Sequence, residues 1–200
     1  MKRSKLRIKT GAGAMETLIN DPLDERRGVA FIAHPHPLHG GTMNNKVVQT
    51  VAQVAYRLGI VTVRPNFRGV GQSDGRFDNG VGETLDMMEI IQFVMGHYEN
   101  LPIFLAGFSF GAYVQHRVAR SLADARLLLI APAVNLYAFE PVSPNTLLIH
   151  GDQDELVPLA EVRRYAEASG ATLMAIAGAD HFFHAKLKEL ALIVQNAWRC

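Results

Sequence analysis

The residues best suited to chemistry are centred on Ser109, which stands in the pentapeptide GFSFG at 107–111. A G-x-S-x-G turn between a strand and a helix presents its serine hydroxyl as a nucleophile. A side chain two residues before or after the serine would strike the strand or the helix, and Gly107 and Gly111 avoid this. The apolar segment 102–106 before the turn, and the helical spacing after it, predict such a unit.

A serine hydroxyl needs a base to accept its proton and a carboxylate to orient that base. The chain offers both downstream, in the order serine, acid, histidine, on segments that follow predicted strands. After the strand TLLIH, the segment GDQDELVP supplies Asp152 and Asp154 as candidate acids. After TLMAIAG, the segment ADHFFH supplies His181 and His184 as candidate bases. Chain order alone does not choose within either pair.

The oxyanion that forms when a serine attacks a carbonyl group needs two N–H donors. In a turn of this kind one donor is the amide of the residue after the nucleophile, which is Phe110. The second is expected from the segment HPHPLHGG at 34–41. Its prolines have no N–H, so the candidates are the amides of His36 and Leu38, with those further on.

Neither a metal nor a cofactor is predicted. The histidines His34, His36 and His39 stand on a stiff, proline-punctuated backbone instead of one helical face, so pocket lining or backbone hydrogen bonding is expected of them. The glycines of NFRGVGQSDG at 66–75 lack the G-x-G-x-x-G spacing, and no P-loop lysine follows them, so nucleotide binding is not predicted. We expect Arg68 in this segment to tie neighbouring loops together.

Short β-branched segments alternate with longer segments of helical periodicity after an opening hairpin. The predicted strands are residues 6–10, 15–19, 29–33, 60–65, 103–107, 126–131, 146–150 and 172–176. The predicted helices are one that ends at Gly59 and residues 83–98, 110–122, 159–168 and 184–198. This order predicts an α/β fold: a mostly parallel twisted sheet with an N-terminal antiparallel hairpin and helices on both faces. Segment 132–145 is too short for a cap domain, so the site should be open to solvent.

Composition agrees with a single domain spanning residues 1–200, because 48% hydrophobic and 20% charged residues are typical of a globular chain with a large core. The net charge of +1 gives no large electrostatic field, so no nucleic-acid partner is predicted. The N-terminus lacks the apolar region of a signal peptide and no apolar run is long enough to cross a bilayer, so we expect a cytoplasmic protein with no membrane partner. The single cysteine, Cys200, excludes an internal disulfide.

Five segments together carry a resemblance: HPHPLHGG, RPNFRGVGQSDG, GFSFG, HGDQDELVP and GADHFFH. From residue 29 onward the chain resembles the alpha/beta-hydrolase superfamily, in particular its small cap-less bacterial serine hydrolases related to dienelactone hydrolases and carboxylesterases. The resemblance implies Asp154 as the triad acid and His181 as the base. It implies the His36 amide as the second oxyanion donor, with Leu38 as the alternative. Dienelactone hydrolases use a cysteine where this chain has Ser109, which argues against dienelactone as the substrate.

The resemblance implies a cofactor-free serine hydrolase whose partner is a small-molecule acyl ester or thioester. A thioesterase that accepts acyl-CoA would need a basic patch, which we would seek around Lys46, Arg64 and Arg68. A peptidase is an alternative within enzymes, although peptidases of this fold usually carry a substrate-gating domain. The alternative from another class is a non-catalytic hydrolase-fold binding protein, whose triad is usually damaged. The sequence predicts no particular oligomeric state.

Overall fold

Eight strands form one sheet in the computed structural model of the chain, which describes residues 2–23, 25–122 and 124–199. The strands are β1 Lys2–Thr10, β2 Gly13–Asp21, β3 Gly28–Ala33, β4 Ile60–Pro65, β5 Ile103–Phe108, β6 Arg126–Ile130, β7 Leu147–Gly151 and β8 Thr172–Ile176. The helices are α1 Lys46–Arg57, α2 Val81–Met95, α3 Phe110–Ala119, α4 Leu159–Ser169 and α5 Leu187–Trp198, with a short 3-10 helix at Pro37–His39.

The strand order across the sheet is β1-β2-β4-β3-β5-β6-β7-β8. Strand β2 pairs antiparallel with both β1 and β4, and every other neighbouring pair is parallel. The mostly parallel sheet with an N-terminal antiparallel hairpin is therefore confirmed. Because the carboxyl ends of parallel strands lie at one edge, the loops that carry the candidate residues converge there.

The helices cover both faces of the sheet, as predicted. On one face α1 and α5 share an apolar cluster that includes Val51 and Leu190. On the other face α2, α3 and α4 contribute Met87, Val114 and Val162 to a second cluster. The buried strands between these two layers are apolar on both sides, which is the pattern that a parallel sheet requires.

Two helices begin at positions that differ from the prediction. Helix α2 begins at Val81, two residues earlier, because the Glu83 carboxylate accepts the N–H groups of Asp78 and Gly80 ahead of it, at 2.8 Å each. Helix α5 begins at Leu187 and not at residue 184, because Phe183 and Ala185 have φ values of +55° and +58°, which no helix accommodates.

The opening hairpin is longer than predicted, because its two strands pair without interruption from Lys2 opposite Asp21 to Thr10 opposite Gly13. The connection from β6 to β7 consists of turns without a helix, and all of it is described, so no cap covers the sheet edge at this point. Of the helices in the described residues, none has both the length and the apolar character needed to cross a membrane. Cys200 lies outside the described residues.

Candidate active site

Ser109 occupies a sharp turn between β5 and α3. Its φ of +55° is a strained value for a residue with a side chain, and the turn is held in place by the Ser109 N–H, which donates to the Ile130 carbonyl of β6 at 2.9 Å. A Cβ on Gly107 would overlap the backbone of Gly111, and a Cβ on Gly111 would overlap the backbone of Ala33 and His34, where β3 ends. The turn therefore requires both glycines, and it leaves Ser109 half-buried at the carboxyl edge of the sheet.

The structure brings Ser109, His181 and Asp154 into one chain of hydrogen bonds. Nε2 of His181 lies 3.0 Å from the Ser109 Oγ, and Nδ1 of His181 lies 2.7 Å from Oδ2 of Asp154. The three residues follow β5, β8 and β7, so the parallel sheet delivers them to one edge from distant parts of the chain.

Asp154 has a buried carboxylate with several hydrogen-bond donors. Its Oδ1 accepts the N–H groups of Leu156 and Val157 at 2.9 Å each, while Oδ2 faces His181. Burial raises the pKa of Asp154, but the hydrogen bonds from His181 and from the Val157 amide outweigh burial, and the pKa lies below its usual range. A carboxylate at this position favours the His181 tautomer with the proton on Nδ1, which leaves Nε2 free to accept a hydrogen bond from the Ser109 hydroxyl.

The other two candidates from the same segments have different partners. Oδ1 of Asp152 accepts the N–H of Gly178 at 2.7 Å, which ties the loop after β7 to the loop after β8. Nδ1 of His184 lies 2.6 Å from Oδ2 of Asp180, and 74% of the His184 side chain is exposed. The structure therefore brings neither Asp152 nor His184 to the serine hydroxyl.

His150, at the end of β7, was not singled out from the sequence. Its ring is fully buried, with Nε2 2.8 Å from the Val157 carbonyl oxygen and 3.4 Å from Oδ2 of Asp154. Burial lowers the pKa of His150, so the neutral ring donates from Nε2 to the carbonyl oxygen beside the carboxylate. The sequence signal for this contact with Asp154 is a histidine near the end of a buried strand, four residues before the aspartate.

The loop after β3 lies directly against the serine turn, since the rings of His36 and Phe110 are 5.1 Å apart. The Phe110 amide is the first N–H of α3, so it has no acceptor within the helix. Within residues 37–41 of this loop, the amides of Leu38, His39 and Gly41 donate to the ring or the carbonyl oxygen of His36. The Leu38 amide is thus already bonded, whereas the His36 amide donates to no acceptor in the described residues.

Both ring nitrogens of His34 are occupied by backbone groups. Nδ1 donates to the Pro35 carbonyl at 2.7 Å, and Nε2 accepts the Phe67 N–H at 2.9 Å. Burial lowers the pKa of His34 to about 4, so this histidine is a neutral structural link between two loops. Within the described part of the chain, no three or more histidine, cysteine, aspartate or glutamate side chains are arranged to hold a metal ion.

Two polar side chains of the loop after β4 bond this loop to neighbouring elements. The Asn66 side chain accepts the Met43 N–H at 2.8 Å and donates to the Glu16 carboxylate at 2.7 Å, so it joins the loop after β3 to β2. Arg68 joins the loop after β4 to α2 instead of joining two loops by hydrogen bonds, because its Nε donates to Oδ2 of Asp86 at 2.7 Å and its Nη2 donates to the Gly82 carbonyl at 2.9 Å.

Comparison with known proteins agrees with this architecture. A family model described as serine aminopeptidase, S33, matches residues 36–145. The protein RP471 of Rickettsia prowazekii, described as uncharacterized, is 34% identical over 183 residues, which cover 84% of this chain and 77% of RP471.

Two solved structures align with almost all of the chain. The Xanthomonas campestris protein XC6422, described as an α/β serine hydrolase without lid, is 35% identical, with a TM-score of 0.93 and coverage of 100% of this chain and 94% of XC6422. An α-β serine hydrolase homologue from Coxiella burnetii is 41% identical, with a TM-score of 0.91 and coverage of 99% and 98%. The chain therefore belongs to the serine hydrolases of the alpha/beta-hydrolase superfamily.

Proposed function

We propose that this protein cleaves a small-molecule carboxylic ester or thioester through an acyl-enzyme on Ser109. The observation that carries the proposal is the continuous hydrogen-bond chain from the buried Asp154 carboxylate through His181 to the Ser109 hydroxyl. This chain supplies the three requirements of nucleophilic catalysis, which are a nucleophile, a base in contact with it and a carboxylate that orients the base.

In the first step, Nε2 of His181 takes the Ser109 proton while Oγ attacks the substrate carbonyl carbon. The protonated His181, stabilised by Asp154, then gives that proton to the leaving alcohol or thiol as the carbonyl re-forms. A water molecule then attacks the acyl-enzyme, and His181 again acts first as base and then as acid. The acid product leaves, and the Ser109 hydroxyl is restored. The cycle consumes only water and the substrate.

We expect the oxyanion of each tetrahedral intermediate to accept hydrogen bonds from the backbone N–H groups of Phe110 and His36. Phe110 opens α3, so its N–H adds the positive end of the helix dipole. We prefer His36 to Leu38, because the Leu38 N–H is already bonded to the His36 ring at 3.2 Å.

The acyl group is expected to contact the exposed apolar side chains that follow four different strands at this edge: Leu38, Leu136, Leu156 and Phe182. The Phe182 ring lies 5.2 Å from the His181 ring, and the carbonyl of Leu156 accepts the Asn135 amide at 3.1 Å, which joins two of these loops. Because no cap encloses them, we expect a preference for short acyl groups. A steady rise in kcat/KM towards long-chain esters would contradict this expectation.

The direct test replaces Ser109 by alanine and measures hydrolysis of p-nitrophenyl acetate and of an acetyl thioester. We expect kcat to fall by about 10⁴-fold or more, because the nucleophile is lost, with the fold preserved by circular dichroism. Ser121→Ala is the matched control, since this serine is exposed in the turn after α3. Equal activity of the Ser109→Ala variant and the control would refute serine catalysis.

A fluorophosphonate probe separates an enzyme from a non-catalytic binding protein. We expect the probe to label wild type on Ser109 and to leave the Ser109→Ala variant unlabelled. Folded wild-type protein that does not react would support the binding protein instead.

Peptide hydrolysis is the second candidate, because the matching family model is described as serine aminopeptidase. The same triad cleaves an amide when His181 can protonate the leaving amine. Aminoacyl p-nitroanilides compared with the matched p-nitrophenyl esters distinguish the two reactions. An anilide kcat/KM equal to that of the ester would favour the peptidase.

A further inference from the structure

A polar groove of about 360 Å³ lies between α1 and the β1–β2 hairpin, on the sheet face that α1 covers. Its wall from the sheet contains Arg3 of β1 and Arg64 of β4, and its wall from the helix contains Arg57. None of its lining residues belongs to the Ser109 site.

The register of the strands places the sheet arginines on one face. Arg3 pairs with Asn20, and Arg64 pairs with Leu18 on the neighbouring strand, so these side chains point to the same side of the sheet. The proximity has an electrostatic cost, since burial and then the positive charge of Arg3 lower the pKa of Arg64. The Arg64 guanidinium remains protonated all the same, because arginine does not lose its proton in proteins.

Among the described residues, no carboxylate pairs with the positive charge of this groove. Among its nine lining residues none is acidic, and neither Arg3 nor Arg57 forms an ion pair in the described residues. The carboxylate on the same face of β2, Glu16, is already engaged by Lys5, by Asn66 and by a backbone amide. The charge of the arginines is therefore available to a ligand.

Arg64 distinguishes this groove from an ordinary basic surface, because its guanidinium group is buried. It is 7% exposed, its Nη1 donates to the Met43 carbonyl at 3.0 Å, and its buried Nε has no hydrogen-bond partner among the described residues. A buried, incompletely bonded cation is costly unless an anion completes its hydrogen bonds.

We propose that this groove binds an organic phosphate, whose phosphate groups contact Arg3, Arg57 and Arg64. Guanidinium groups suit phosphate because their parallel N–H groups match two of its oxygens. The side chains of Gln53 and Tyr56 line the same cavity and offer further polar contacts and an aromatic face. The site does not depend on the hydrolase activity proposed above.

The test titrates the full-length protein with pyrophosphate and with ADP, followed by calorimetry and by ¹H–¹⁵N amide shifts. A salt concentration of about 0.15 M screens interactions with scattered surface charges. We expect saturable binding of one ligand per chain, with amide shifts confined to α1, the β1–β2 hairpin and β4 around Arg64. Equal affinities would indicate that the phosphates alone are bound, and a higher affinity for ADP would indicate that the nucleoside also contacts the groove.

The variants Arg3→Gln and Arg57→Gln change exposed side chains, so both should fold, and each should weaken binding by about tenfold. Arg64→Lys keeps the buried charge but loses the guanidinium fork, and it should weaken binding to a similar extent. Arg163→Gln, an exposed arginine of α4 on the opposite face, is the matched control. Ser109→Ala should bind as wild type does, which separates this proposal from the proposed catalysis.

Two results would overturn the proposal. One is the absence of saturable binding for both ligands. The other is binding that the groove substitutions weaken no more than Arg163→Gln does.

Discussion

Replacing Asp154 by asparagine tests whether the carboxylate sets the state of His181. Asparagine has nearly the same shape, and its Oδ1 would still accept the N–H groups of Leu156 and Val157, each now at 2.9 Å. Its NH₂ group would then lie where Oδ2 now lies, 2.7 Å from Nδ1 of His181. An amide nitrogen at this position donates, so Nδ1 must accept and the ring proton moves to Nε2. The ring then has no acceptor for the Ser109 proton.

The expected loss follows from this change of tautomer. Without a base in contact with Oγ, kcat should fall by about 10⁴-fold, or about 5 kcal/mol in the activation free energy. The depressed pKa of Asp154 also stabilises the folded protein at neutral pH. This contribution is present above the unfolded-state value of about 3.9 and is lost as the pH falls through the folded value, so the variant should lack it.

Asp152→Asn is the matched control, because it makes the same chemical change two residues earlier in the same loop. Oδ1 of Asp152 accepts the Gly178 N–H at 2.7 Å, and asparagine preserves that acceptor. We expect kcat for p-nitrophenyl acetate within about threefold of wild type. Similar losses in the two variants, or a larger loss in Asp152→Asn, would refute the role assigned to Asp154.

Four further predictions follow from the same geometry. His36→Pro removes the proposed oxyanion amide at a residue whose φ of −52° suits proline, so kcat should fall by about 10²-fold, whereas His36→Ala keeps the amide and should remain within about tenfold of wild type. His184→Ala should retain esterase activity, because this ring pairs with Asp180; a loss as large as that of His181→Ala would reverse the assignment of the base. Gly111→Ala should reduce the unfolding free energy in urea by more than about 3 kcal/mol, since the new Cβ overlaps backbone atoms, and a stable variant would contradict the packing of the turn. The folded-state pKa of His34, about 4, lies below the unfolded value, so stability should be full above pH of about 6.5 and decline as the pH falls towards about 4, and His34→Gln should flatten this dependence in urea titrations.

The alternation of strands and helices was predictable because its signals are local. The apolar strands before the candidate loops and the helical spacing of α1 and α3 depend on neighbouring residues alone. The predicted start of α5 was wrong because it depends on contacts within a loop that periodicity does not reveal. Asp180 accepts the backbone N–H and contacts the ring of His184, and two residues with positive φ turn the chain before the helix begins.

The basic patch shows a limit of a prediction made from residue types. Of the three residues named for it, Lys46 is exposed at the start of α1, and Arg68 is bonded to Asp86. Arg64 lines a groove with Arg3 and Arg57 instead. Charge partners come from strands and helices far away in the chain, so no local pattern identifies which arginine remains unpaired.

The sequence by itself determined that Ser109 sits in a strand–turn–helix unit, because only glycines permit that turn and both stand at the required spacing. It also supplied the order of serine, acid and histidine, and with it the edge of the sheet where they meet. The motif order left Asp152 or Asp154 and His181 or His184 open, and only the resemblance favoured Asp154 and His181; the tertiary structure brings these two, and not Asp152 or His184, into the hydrogen-bond chain with Ser109. Neighbouring residues of one loop have the same chemistry, and only the packing of β5, β7 and β8 decides which side chain comes within hydrogen-bonding distance of the next.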